Sequence, residues 1–165
     1  MQKVLIIGSP GSGKSTFARA LGERTGLPVC HLDLLFWNAD KTTVTRELFL
    51  SRLTEALSAE CWIMDGNFSN TLPLRIKHCD TVFFLDYDTE VCLEGVRARR
   101  GKPRPDMPWI EQEEDAEFMQ FISRFATDRR PDILALLQQH PQKHIHVFQN
   151  RAQADAFLAH LSDQK

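Results

Sequence analysis

Gly8-Ser9-Pro10-Gly11-Ser12-Gly13-Lys14-Ser15 sets two glycines, a lysine and a hydroxyl at the spacing that phosphate binding requires. The glycines permit backbone dihedrals that turn successive N–H groups inward around β- and γ-phosphates. A helix opening at the lysine adds the partial positive charge of its N-terminus. Lys14 then supplies a point charge to the β/γ oxygens, the Ser15 hydroxyl ligates Mg²⁺, and Thr16 lies near enough for a further phosphate contact. A chance glycine-rich turn needs neither a lysine nor a hydroxyl at these two places. The expected ligands are therefore ATP and Mg²⁺, held by Gly8, Ser9, Pro10, Gly11, Ser12, Gly13, Lys14, Ser15 and Thr16.

Three aspartates close short apolar runs. Asp33 follows Val29-Cys30-His31-Leu32, Asp65 follows Trp62-Ile63-Met64, and Asp86 follows Val82-Phe83-Phe84-Leu85. In open α/β sheets ligands bind beyond the carboxyl ends of strands, so each is a site candidate. Asp65 is read as the second metal residue beside Ser15, acting directly or through water. Asp33 is read as the general base, because a hydroxyl acceptor must lose its proton and a carboxylate across from the γ-phosphate can take it. For Asp86 a cap or turn role is the better reading.

Phosphoryl transfer spreads charge over the moving group, and arginines on a mobile segment meet it. Arg97, Arg99 and Arg100 close a helix and Arg104 follows within Gly101-Lys102-Pro103-Arg104-Pro105-Asp106-Met107-Pro108, a proline-rich, charged stretch expected to be an exposed excursion. Helical geometry puts Arg97 and Arg100 on one face and Arg99 elsewhere. The catalytic expectation is Lys14, Asp33, Arg99 and Arg104. Leu34-Leu35-Phe36-Trp37 follows Asp33 and places Trp37 as an acceptor contact, although apolar residues at that density are more often core.

Positioning these groups takes a parallel sheet with covering helices, and short apolar runs alternating with helical periodicity have that pattern. Strands are expected at about 3–7, 29–32, 62–64, 81–85 and 144–148. The first helix runs from the phosphate loop through Phe17, Ala18 and Leu21 to a stop at Gly26 and Pro28. A second spans about 46–59, with Leu48, Phe49, Leu53, Ala56 and Leu57 on one face. Asp88 is placed to cap a third, the acidic run Glu111 to Glu117 opens a fourth, Arg130-Pro131 starts a fifth, and Phe157, Leu158 and Leu161 mark a last amphipathic one. The fold class is α/β, in a single domain spanning 1–165.

At 165 residues, 42% hydrophobic and 25% charged, the chain has the composition of a globular domain. A net charge of −2 offers no general attraction to nucleic acid. Cys30, Cys61, Cys79 and Cys92 show no CxxC pair and read as buried free thiols. The opening Met-Gln-Lys leads directly into a strand, too short for a signal segment or membrane span, so a cytoplasmic protein with no membrane partner is expected.

Over nearly its whole length the chain resembles the adenylate-kinase-like branch of P-loop kinases, and within it the small topology modulation proteins. The likeness is carried by Gly8–Thr16, His31-Leu32-Asp33, Trp62-Ile63-Met64-Asp65-Gly66-Asn67 and Arg104-Pro105-Asp106-Met107. It implies a three-layer fold with strand order 2-3-1-4-5, an acceptor-binding segment at about 34–60, a lid at about 100–112, and Arg151 near the adenine. Where adenylate kinases have Asp-Gly-Phe-Pro-Arg, this chain has Asp65-Gly66-Asn67-Phe68-Ser69. Asn67 is thus a substrate candidate, and Arg75 the nearest substitute for the missing arginine. The base-stacking arginine falls on Gly95, and a phosphate-binding one matches Arg99. Two functions follow as expectations: ATP-dependent phosphoryl transfer to a nucleoside, nucleotide or hydroxyl metabolite, or a regulatory ATP-binding protein related to DNA topology modulation.

Overall fold

The computed structural model describes residues 1–162. Val4, Leu5, Ile6 and Ile7 are buried on both faces of the sheet, as the continuous apolar run of a central parallel strand must be. They form β1 (Lys3–Gly8), which pairs on one side with β3 (Trp62–Asp65) and on the other with β4 (Thr81–Leu85). β2 (Val29–His31) and β5 (His144–Phe148) complete a five-stranded, wholly parallel sheet in the order β2-β3-β1-β4-β5. This is the expected order, and each strand lies within a residue of its expected bounds. The register sets Ile6 beside Asp65 and His31 beside Asp65, so the carboxyl ends of β1, β2 and β3 share one edge.

Alternate residues of β1 feed two cores. Val4 and Ile6 pack with Ile63 and Phe83 under α1 (Lys14–Thr25) and α8 (Arg151–Ser162), through Phe17, Leu21, Ala154 and Leu158. Leu5 and Ile7 face α3 (Arg46–Ser58), α4 (Leu72–His78), α6 (Ala116–Asp128) and α7 (Arg130–Gln138), through residues such as Leu53, Ile76, Phe125 and Leu137. Three layers result. α5 (Thr89–Arg99) packs on α6 through Cys92, Leu93, Val96, Met119 and Ile122.

Gly26 ends α1 in the left-handed region at φ 77°, donating its N–H to Gly22 O at 2.8 Å. Thr45 caps α3 by accepting from Leu48 N–H. Leu48 is 43% exposed, so the buried face of α3 is Phe49, Leu53 and Leu57 without it. Asp88 precedes α5 but makes no side-chain cap. The acidic run does not open α6 as a helix. Asp115 caps that helix by accepting from Glu117 and Phe118 N–H, while Glu111 and Glu114 lie ahead of it and pair with Arg99 and Arg97 of α5 and with Arg100 just beyond it. Two short helices, α2 (Leu32–Phe36) and α4, were not anticipated, because five to seven residues carry too little periodicity. The four cysteines are free; Cys79 and Cys92 are buried, Cys30 and Cys61 only partly. Among the described residues no helix is long and apolar enough to cross a membrane.

Candidate active site

β1 delivers the glycine-rich loop to the carboxyl edge of the sheet, and α1 starts at Lys14. Below the loop the backbone of α5 approaches so closely that a Cβ on Gly11 would lie 1.9 Å from Cys92 O. A Cβ on Gly95 would lie 2.1 Å from Gly11 O. Two glycines therefore lock the loop onto α5, and no arginine can stand at position 95. Lys14 Nζ donates to Ser9 O at 2.9 Å, and its pKa is pushed down to about 8 by burial, against the opposing pull of Asp65 and Asp33. Ser12 Oγ is buried without a hydrogen-bond partner, a state a polar ligand would relieve. Pro10 to Thr16 line a cleft of about 1340 Å³, whereas Gly8 and Ser9 are buried and do not line it.

Asp65, the last residue of β3, links two partners. Its Oδ2 accepts from the Ser15 hydroxyl at 2.7 Å, and its Oδ1 lies 2.6 Å from His31 Nδ1. Burial disfavours the charged imidazole, but the hydrogen bond and charge of Asp65 outweigh it, so the His31 pKa is raised. Asp33 sits in the first turn of α2, not at a strand end, and lines the same cleft. Burial pushes its pKa up to about 6, with Asp65 and Asp106 adding to the shift and Lys14 and Arg104 opposing it. Asp86 faces elsewhere. Both its oxygens accept from Arg130, at 2.8 and 2.9 Å, and Gln149 adds a bond at 3.2 Å, a tie between the end of β4, α7 and the connection from β5 to α8.

Asp106 was not anticipated as a site residue. It is 5% exposed and its Oδ2 lies 2.9 Å from Ser15 Oγ. Burial opposes its ionisation, but the Arg104 guanidinium, the Ser15 hydroxyl and His31 hold the carboxyl below the usual carboxylate range. Pro105-Asp106 reads locally as turn chemistry, and only the folding-back of the excursion carries it to the loop.

The excursion between α5 and α6, residues 100–115, roofs the cleft. Arg99 grips Glu111 through two bonds of 3.0 Å, from Nε and Nη2. Arg104 lies 3.7 Å from Asp106 and 3.9 Å from Glu111. Arg97 and Arg100, the latter just past the end of α5, both face Glu114, and Arg99 and Arg100 line the cleft. Arg151, the first residue of α8, lies exposed at the rim.

Opposite the loop, Trp37 of the 34–60 segment meets Trp109 of the excursion edge to face, ring centroids 5.5 Å apart. Phe68 stands beneath at φ 34°, a left-handed conformation unusual for a bulky residue. Asn67 lines the cleft, and its Oδ1 accepts from Gly8 N–H at 3.4 Å. Arg75 does not line the cleft. It is 0% exposed, donates to Gly66 O at 3.1 Å, to Asn67 and Phe68 carbonyls and to Thr71 Oγ1, and so directs all three of its nitrogens to the 66–71 loop. The expectation that Arg75 substitutes for a ligand-binding arginine is corrected on that ground: it shapes the loop that carries Asn67 and Phe68.

Hard oxygen donors suit Mg²⁺. Among the described residues no three His, Cys, Asp or Glu side chains converge as a closed metal cage. The protein's share is the Ser15 hydroxyl with carboxylates beside it, which leaves places for phosphate and water, the usual surroundings of a nucleotide-bound Mg²⁺. The residues present fit the ion.

A parallel sheet in the order 2-3-1-4-5, with a phosphate loop joining its central strand to the first helix, is the P-loop kinase fold. No family model and no curated protein matches the chain. Among solved structures it is similar to a shikimate kinase from Bacteroides thetaiotaomicron, with 20% identity, a TM-score of 0.64 and coverage of 99% of this chain and 97% of that one. It is similar also to a shikimate kinase from Acinetobacter baumannii in complex with shikimate, with 20% identity, a TM-score of 0.63 and coverage of 100% and 95%. At this identity the likeness establishes the fold.

Proposed function

We propose that this chain is an ATP-dependent kinase that transfers the γ-phosphoryl group to a hydroxyl of a small molecule. The observation that carries the reading is the convergence of Lys14, Ser15, Asp65 and Asp33 on one cleft roofed by Arg99 and Arg104. In this reading the 100–115 excursion is a lid and the 34–60 segment, with Trp37 and Asn67, carries the acceptor. Pro10 to Thr16 hold the phosphates, and Arg151 lies at the rim where the base would rest. Mg²⁺, when bound beside Ser15 and Asp65, would neutralise charge on the β/γ oxygens.

Asp33 receives the acceptor's proton as the hydroxyl oxygen attacks the γ-phosphorus and the bond to the ADP oxygen breaks. A carboxyl raised to about 6 is mostly ionised at pH 7 yet basic enough to take a proton in the transition state. Lys14, Arg99 and Arg104 meet the charge that spreads over the transferred oxygens. For the arginines this requires exchange of their present partners, Glu111 and Asp106, for phosphate oxygens. The aromatic wall excludes water, which limits loss of ATP to hydrolysis.

Shikimate kinases as structural neighbours support a hydroxyl on a small polar ring among the acceptors to try. The test is product formation from γ-labelled ATP with pooled nucleosides, nucleotides, sugars and hydroxy acids, shikimate included. A labelled organic product lost in Lys14→Ala, and reduced roughly 10²- to 10⁴-fold in Asp33→Asn, is the expected result. Slow phosphate release indifferent to Asp33 would sink it.

The second reading, a regulatory ATP-binding protein related to DNA topology modulation, rests on the motif resemblance. The arginine cluster that would meet a DNA backbone is already paired with Glu111 and Glu114, which weighs against it. Salt-dependent DNA binding altered by ATP would restore that reading.

A further inference from the structure

Ser15 Oγ stands between two carboxylates that arrive from different parts of the fold. Asp65 Oδ2, at 2.7 Å, comes from the rigid end of β3; Asp106 Oδ2, at 2.9 Å, comes from the segment roofing the cleft. A hydroxyl carries one proton and donates it to one acceptor. The second short approach therefore sets the lone pairs of the hydroxyl oxygen against those of a carboxylate, a contact that a cation converts from repulsive to binding. Asp106 is not there as a solvated surface acid: it is 5% exposed, and the guanidinium groups of Arg19 and Arg104 each lie 3.7 Å away, with His31 also acting on its charge. Arg19 Nη1 is itself buried with no hydrogen-bond partner, so it holds the carboxylate loosely.

Chain geometry strengthens the point. Asp106 is flanked by Pro105 and Met107-Pro108, a stretch with few conformations to lose on ordering. Three residues further on, Trp109 closes against Trp37 at 5.5 Å. The carboxylate that reaches the phosphate loop and the indole that covers the acceptor side thus belong to one stiff segment.

We propose that Asp106 is a lid-borne ligand, direct or through water, of the Mg²⁺ that accompanies the nucleotide, so that metal binding itself draws the lid down over both substrates. The inference rests on the kinase reading of the phosphate loop and adds to it a residue the loop motif does not contain. Asp65 marks the metal's place whether the lid is open or shut, and Asp106 completes that place only when the lid is shut. Nucleotide without metal then binds the loop and leaves the lid unlatched, whereas nucleotide with metal closes it.

The experiment measures ADP binding by calorimetry with and without Mn²⁺, Mn²⁺ itself by electron paramagnetic resonance, and closure by Trp109 fluorescence in a Trp37→Phe, Trp62→Phe background. Asp106→Asn keeps size and hydrogen bonding but removes the charge. In that variant the expected result is Mn²⁺ affinity in the ADP complex reduced about tenfold or more, with metal-free ADP affinity within twofold of the native chain. The Mn²⁺-induced fluorescence change should be lost. Asp106→Glu should restore part of both signals. Unchanged Mn²⁺ affinity and an intact fluorescence change in Asp106→Asn would overturn the proposal. So would tighter metal-free ADP binding with metal dependence intact, which would make Asp106 an inhibitory latch. Failure of the native chain to bind ADP at all would overturn the kinase reading itself and the metal assignment with it.

Discussion

Gly95→Ala tests whether the contact between α5 and the phosphate loop sets the site. The added Cβ would lie 2.1 Å from Gly11 O, and real Cβ contacts essentially never fall under 3.0 Å. The two backbones must part by roughly 1 Å, with no flexible side chain between them to absorb the strain. Overpacking of this kind costs about 2–3 kcal/mol, and the gain in helix propensity from Gly to Ala returns about 1 kcal/mol. The net loss of about 1–2 kcal/mol lowers Tm by roughly 2–8 °C in a chain of this size. The effect on binding is larger, because a shift of about 1 Å in positioning groups can cost about 10²-fold.

The control is Gly26→Ala, where φ is 77° but no atom lies within 4 Å of the new Cβ. It costs about 1 kcal/mol through backbone strain and should leave ATP affinity alone. Thermal unfolding and calorimetric titration with MgATP separate the two variants: similar loss of Tm, very different loss of affinity. Gly95→Ala binding MgATP within twofold of the native chain would refute the lock.

Three further outcomes are expected. Arg75→Met removes every donor from the Gly66, Asn67 and Phe68 carbonyls and should cost about 3 kcal/mol or more, read as a Tm drop of roughly 6–12 °C; Arg75→Lys should rescue little, since an ammonium lacks the planar fork. Lys14, pushed down to about 8 by burial, should return toward its ordinary value when phosphate oxyanions bind beside it. Binding near pH 8 should therefore take up about half a proton and weaken as pH rises further; calorimetric enthalpies that do not differ between HEPES and Tris at that pH would contradict this. Asp80 accepts from Gln2 and Lys3 N–H at 2.8 and 2.9 Å and from Thr81 Oγ1 at 2.6 Å, bonds that hold its pKa low against burial. Its contribution, about 1 kcal/mol after solvent screening, is fully present above about pH 4 and lost as pH falls through the folded value. Asp80→Asn should flatten the acid limb of the stability curve.

The phosphate loop and the five strands were legible because each is written in consecutive residues. Gly8–Ser15 has its meaning from order and spacing alone, and runs such as Val4–Ile7 are apolar enough to be central strands in any context. Asp65 was legible for a related reason, since a carboxylate that ends a buried strand must emerge at the binding edge. The side chains of Arg75, Asp86 and Asp106 were decided only by tertiary structure. Arg75 and Asp86 sit in contexts as suggestive as those of Lys14 and Asp33, yet the fold spends them on carbonyls and on Arg130. Asp106 reads as part of a surface turn and becomes one of the most buried acids when residues 100–115 fold back 91 positions along the chain onto Ser15. Periodicity and motifs report what a segment does with its neighbours in sequence. Which distant partner a charged side chain meets depends on where the elements pack, and a carboxylate is determined by that partner, not by its own type.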